Sequence, residues 1–173
     1  FSFYTGKDKL TMDEPYNAEM SWGNETFSAQ WTHIFNPQLF SHFLFAGSTF
    51  FSKIYSETDA EEYWERLNEI NDLSVKGGLS WKPSNDHMVD YGFDLKFNNV
   101  LLDSKTNAYV DENSMADGIE VEAVTTAMYV QDSWDIDAFW TVQPGLRATW
   151  CNTRSLYLSG KPTADYFDWS PRM

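Results

Sequence analysis

Along residues 140–151 every second position is apolar. Trp140, Val142, Pro144, Leu146, Ala148 and Trp150 alternate with Thr141, Gln143, Gly145, Arg147, Thr149 and Cys151. A period of two is the mark of a β-strand with one oily and one polar face, and here it runs about twice the usual strand length. The stretch 119–135 precedes it across a tight turn at Asp135, Ile136, Asp137 and Ala138, which predicts a hairpin. The oily face has an aromatic at each end, as in strands that cross a bilayer whose headgroup layers hold the rings.

The same period recurs through the chain. Residues 22–35 put Phe27, Ala29, Trp31, His33 and Phe35 on one face and Thr26, Ser28, Gln30 and Thr32 on the other. Residues 71–83 set Leu73, Val75, Gly77, Leu79 and Trp81 against Ser74, Lys76, Gly78, Ser80 and Lys82, and 88–102 set Val89, Tyr91, Phe93, Leu95 and Phe97 against Asp90, Gly92, Asp94, Lys96 and Asn98. Residues 1–10 and 164–173 are shorter alternating pieces. Strand 39–55 carries aromatics on both faces, which predicts burial on both sides. Only 58–70 changes period. Thr58, Asp59, Ala60 and Glu61 form a capping-box pattern, and Tyr63, Leu67 and Ile70 recur at helical spacing, so a helix of about three turns is expected there.

About eight strands in four hairpins result, all-β and antiparallel. Tight turns near 37, 85 and 137 alternate with longer connectors at 11–20, 56–70, 104–118 and 155–163. Short turns on one side and long loops on the other are the pattern of an up-and-down transmembrane barrel. Pro144 and Pro171 remove ladder donors, but toward strand ends on the short-turn side.

Composition sharpens this picture in two places. The aromatic share of 17% is high for a chain with negative mean hydropathy. No apolar run is long enough for a transmembrane helix, which says nothing against a barrel, because alternating strands average to neutral hydropathy. The net charge of −14 disfavours nucleic acid as a partner. Most of that charge falls in segments 11–20, 56–70 and 103–120, where fourteen acids face only Arg66 and Lys105. Solvated, outward loops are the expectation, with Glu61, Glu62, Tyr63, Trp64 and Glu65 in the one that holds the helix.

Chemistry for catalysis is not evident. The histidines His33, His42 and His87 are scattered, although His33 and His42 flank one turn and could approach each other. No phosphate loop, cysteine pair or nucleophile elbow occurs, and Cys151 stands alone. The carboxylates lie in connectors rather than a dry cleft, so the chain is expected to be no enzyme and to hold no metal or cofactor. The informative polar set shares the face opposite the oily one: Lys76, Lys82, Asp90, Asp94, Lys96, Gln131, Gln143, Arg147 and Arg172. Charges interleaved with oily residues need a wet or salt-bridged side.

Three pieces also carry a likeness. Tyr129-Val130-Gln131-Asp132-Ser133-Trp134, then Pro144-Gly145-Leu146-Arg147, then Ser170-Pro171-Arg172 resemble a succession in the barrels of TonB-dependent outer-membrane receptors. Residues 31–37, with Leu73-Ser74-Val75-Lys76 and His87, are similar to the Bacteroidetes type, so the likeness covers nearly the whole chain. It implies a single β-barrel segment over 1–173, part of a barrel of about 22 strands closed round a plug. The resemblance implies as partners the remaining strands and plug, outer-membrane lipid, the TonB complex through an N-terminal region not in this sequence, and a surface lipoprotein. The polar face would then contact plug or substrate, in a transporter of a large or scarce nutrient such as a glycan, peptide, siderophore or cobalamin-like compound. The sequence opens at Phe1 and stops in what reads as mid-strand, so a portion of a longer protein is expected. Two alternatives stay open: a closed eight-stranded structural or adhesion barrel, and a soluble carbohydrate-binding β-sandwich.

Overall fold

The computed structural model describes residues 1–13, 17–57, 62–106, 118–155 and 163–172. These form one antiparallel sheet. Its strands are β1 (Ser2–Met12), β2 (Ala18–Asn36), β3 (Leu39–Glu57), β4 (Tyr63–Trp81), β5 (His87–Thr106), β6 (Ile119–Asp135), the two-residue β7 (Thr141–Val142), β8 (Gly145–Ser155) and β9 (Thr163–Arg172). Their spatial order is β1-β2-β3-β4-β5-β6-β8-β9, with β7 beside the end of β6. Each strand thus pairs with its sequence neighbour, as in an up-and-down barrel wall. There is no second sheet among the described residues, which sets aside the sandwich. β1 and β9, at the two ends of the order, do not pair with each other among the described residues, so the closed eight-stranded barrel is not what forms either.

The tight turns have local causes. At Asn36 the side-chain oxygen accepts a hydrogen bond from the Gln38 backbone N–H at 2.8 Å, the Asx geometry that reverses a chain at low cost. At the β6–β7 turn the Asp137 carboxylate accepts from the N–H groups of Phe139 and Trp140, at 2.8 and 3.0 Å. Pro144 breaks the next strand. Its carbonyl accepts from the Asp132 N–H at 2.9 Å, but its ring nitrogen has no hydrogen to return, so the predicted strand 139–153 is split into β7 and β8.

The helix expected over 58–70 is a correction. Residues 58–61 lie outside the described residues, and from Tyr63 onward the chain is already in β4, with Tyr63, Trp64 and Glu65 in strand rather than in a loop. Residues 63–70 pair with β3 throughout, and from Trp64 onward with β5 as well. Two ladders outweigh a helical spacing that rests on Tyr63, Leu67 and Ile70. The connectors are accordingly shorter than expected. Glu19, Glu57, Glu65, Glu69, Asp103 and Glu120 stand on strands, while the Asp111, Glu112 and Asp117 stretch lies outside the described residues.

Because directly paired residues share a face, the registers sort every strand into two sets. On one face, Phe43, Gly77, Phe93, Met128, Ala148 and Trp169 form a row across six strands. Rows on either side hold Leu79, Tyr91, Val130 and Leu146, and Phe45, Val75, Leu95 and Trp150. The oily rows extend from Trp81 near the turns up to Leu73, Phe97 and Val124. Residues 73–81 of β4 thus meet the nine to eleven that a tilted strand needs to cross the hydrocarbon. Above them, on the same face, come Glu25, Thr49, Asn71, Asn99 and Glu122. β4 continues for a further nine residues, 63–71, whose outward side chains are Tyr63, Glu65, Leu67, Glu69 and Asn71.

Glycines sit where rings cross from neighbouring strands. A Cβ at Gly77 would overlap the rings of Phe93 and Phe43, and one at Gly47 would overlap Phe27. Rings laid over glycines cover backbone that would otherwise be bare.

Two arginine substitutions on one strand test the position of the oily band. Val75→Arg, inside it, should cost about 2–4 kcal/mol in equilibrium unfolding from lipid vesicles, whereas Leu67→Arg, on the same face above it, should cost about 0–1 kcal/mol.

Candidate functional site

The face opposite the oily rows is concave. A hollow of about 460 Å³ on it is lined from Gln30 on β2 to Arg172 on β9, strands near opposite ends of the sheet order. Its wall includes five residues of the polar set: Lys76, Asp94, Gln131, Arg147 and Arg172. His42 and Tyr129 join them.

Asp94 is the centre of this group. Its carboxylate Oδ2 lies 3.7 Å from Lys76 Nζ on β4 and 3.5 Å from Arg147 on β8. Arg147 reaches across β6 to do so, and the residue at that crossing is Ala127, paired with Asp94 on one side and Thr149 on the other. Ala127 is only 1% exposed, so a larger side chain there would obstruct the bridge. The other Asp94 oxygen, Oδ1, is buried and accepts no hydrogen bond from the described residues. Asp94 side-chain exposure is 12%, so this bare acceptor is unlike a solvated surface carboxylate.

Two rings frame the group. Gly78 of β4 pairs with Gly92 of β5. His42 lies over the first from β3, and Tyr129 lies over the second from β6. Glycines inside strands mark a close approach, so Gly78 and Gly92 were the sequence signal for His42 and Tyr129 as site residues. The approach of His33 and His42 that their flanking of one turn allowed does not occur: His33 is opposite Ser41 and His42 opposite Thr32, which puts the two imidazoles on opposite faces.

The rest of the polar set is on the same face but dispersed. Asp90 accepts a hydrogen bond from Ser80, and the Gln143 amide donates to Ser133 Oγ at 2.8 Å. Lys96 is exposed between Ser74 and Thr125, in the row that also holds Cys151. Lys82 lies beyond β4 in the turn, where its N–H donates to the Gln38 carbonyl at 2.7 Å. Of the loop set, Tyr63, Trp64 and Glu65 are in β4, Glu62 just precedes it and Glu61 lies outside the described residues. Glu65 pairs with Lys53 at 2.8 Å.

The three motif pieces, far apart in sequence, stand side by side. Gln131, Gly145 and Arg172 form one row, Val130, Leu146 and Pro171 the next, and Tyr129, Arg147 and Ser170 a third. Asp132 faces the other way, where its Oδ2 is 2.7 Å from His87 Nδ1, and His87 stacks on Trp134 at 5.5 Å between ring centroids. The motif therefore does two jobs. Its inward residues supply the polar wall, and its outward Asp132 and Trp134 tie the β5 start to the β6 end.

The sequence matches the family described as TonB-dependent receptor-like, β-barrel, over residues 3–173. The chain belongs to that family, and it is a membrane-spanning portion of a barrel of the bacterial outer membrane. No curated protein matches it. Among solved structures it is similar to the ferric citrate transporter FecA in its unliganded form, with a TM-score of 0.66 at 14% identity over 91% of this chain. It is similar also to BauA, the ferric preacinetobactin receptor from Acinetobacter baumannii, with a TM-score of 0.64 at 10% identity over 90% of this chain. At these identities the likeness is one of fold. The chain spans 25% of the first and 28% of the second.

A double-mutant cycle tests the bridge over β6. Asp94→Asn and Arg147→Gln should each destabilise the protein and couple by about 1 kcal/mol, in the range for a partly exposed ion pair. Independent effects would show that the two side chains do not interact.

Proposed function

We propose that this wall serves an outer-membrane receptor that imports a large or scarce nutrient with energy from the TonB complex, and that its polar concave face contacts the receptor's plug. The observation that carries this is the two-faced wall itself, oily outward over a bilayer's depth and charged inward around Asp94. A charged face turned into a barrel needs either water or a polar protein surface, and the bare Asp94 Oδ1 calls for a donor. An arginine, lysine or backbone N–H of the plug would supply it. β1 and β9, each unpaired on one side, would pair with the remaining strands of the same receptor, because free ladder groups are not tolerated in hydrocarbon. The TonB complex would act through the plug, and lipid would cover the outward rows. The similar structures are named for ferric citrate and ferric preacinetobactin. An iron chelate is therefore one candidate cargo, beside the glycans, peptides and cobalamin-like compounds that the family resemblance admits.

If the wall holds a plug, loosening that contact should make the barrel leak. Cells producing the complete receptor with Asp94→Ala and Arg147→Ala together should become more sensitive to vancomycin, which an intact outer membrane excludes, while surface levels of the receptor stay unchanged. Unchanged vancomycin sensitivity at equal surface level would remove the plug contact from this account.

A further inference from the structure

The concave face changes character at the level where the convex face does, and in the opposite sense. Beside the outward polar row of Thr49, Asn71, Asn99 and Glu122, the next inward row is Phe50, Ile70, Val100 and Val121, apolar on four consecutive strands. In the next inward row away from the turns, Trp22, Leu102 and Ile119 stand on either side of the polar pair Ser52 and Asn68. Phe50 is 39% exposed and Ile70 37%, so the patch is open to whatever fills the barrel. Contiguous apolar surface of this kind marks a contact face. Within strands β2 to β6, the described concave residues above Asp72 carry one charge, Arg66, which stands between Ile54 and Ser104 and makes no ion pair among the described residues; on β1 the acid Asp8 stands beside Trp22, three strands from Arg66.

We infer that this patch docks the imported solute, and that the solute presents an apolar side to Phe50, Ile70, Val100 and Val121 and an anionic group to Arg66. The inference deepens the import function proposed above and rests on it. A solute covered only in hydroxyl groups would leave the apolar row unmatched, and a cationic one would meet Arg66 with the wrong sign. An amphipathic anion satisfies both. Below the patch, Asp72 accepts a hydrogen bond from Asn98, where the wall turns polar again and solute contact gives way to the Asp94 group.

The test uses the complete receptor in intact cells, with Cys151→Ser to remove the native thiol. Ile70→Cys should react with a membrane-impermeant maleimide, and the amphipathic anion 8-anilinonaphthalene-1-sulfonate should protect it. Adding Arg66→Gln should weaken that protection by about fivefold, the scale of one exposed charge pair, while leaving protection by the neutral N-phenyl-1-naphthylamine unchanged. Glu122→Cys, outward and above the oily band, serves as the accessible control. If Glu122→Cys reacts and Ile70→Cys does not, the patch is covered by the receptor's own chain and the inference fails alone. Reaction at Ile70→Cys without protection by the anion also overturns it. No reaction at Glu122→Cys in a receptor present at normal level would overturn surface import itself, and this inference with it.

Discussion

The constraint on which the rest depends is the hydrogen-bonding demand of backbone in hydrocarbon. A strand inside a bilayer has no water to satisfy its N–H and C=O groups, so each must be met by a neighbouring strand, and a free group costs several kcal/mol. The consequence is visible in the length of the ladders. β2, β3 and β4 are each 19 residues long and β5 is 20, and β4 is paired on both sides along nearly all of it. Beyond the lipid the ladders to β3 and β5 continue and outweigh the helical spacing at Tyr63, and Pro144, which interrupts a strand, lies at the turn end.

Once the ladder is fixed, the side chains have only two directions to point, and the two solvents decide what stands there. Outward residues are apolar only as far as lipid reaches. Inward, that depth holds the charged set: beside the convex row of Phe43, Gly77 and Phe93 runs the concave row of Leu44, Lys76 and Asp94. Above the lipid the outward side meets water and becomes polar, and the inward side is free to become apolar. The strands thus reverse their polarity without changing their geometry. A period of two persists while its phase flips, and the wall becomes a surface with different partners at two heights.

The β-sheet, its antiparallel hairpins and its turns were legible because alternation is local: Val75, Gly77 and Leu79 declare a face without knowledge of any partner. The inward set was legible for the same reason, since Lys76, Asp94 and Arg147 occupy fixed phases of their strands. What could not be read was register. That Arg147 meets Asp94 across Ala127 depends on pairings between β5, β6 and β8, and a slip of one residue would turn each strand over. Register also settles that His33 and His42 face apart. The helix at 58–70 was misjudged because residues 63–70 are where the polarity flips: Trp64 and Ile70 are inward, Tyr63 and Leu67 outward, and the mixture imitates a helical stripe. The motif pieces at 129–134, 144–147 and 170–172 announced a family, but only the rows they share show why they occur together.

The central claim is that β4 alternates between lipid and channel and that its phase reverses between residues 71 and 73. A spin-label scan of residues 63–81 in the complete receptor, reconstituted in lipid and read by collision with oxygen and with a water-soluble nickel chelate, tests it most directly. The account predicts oxygen-dominated collision at odd positions from 73 to 81, and nickel-dominated collision at odd positions from 63 to 71. Water accessibility of Leu73, Val75 and Leu79 equal to that of Ser74 and Lys76 would contradict it.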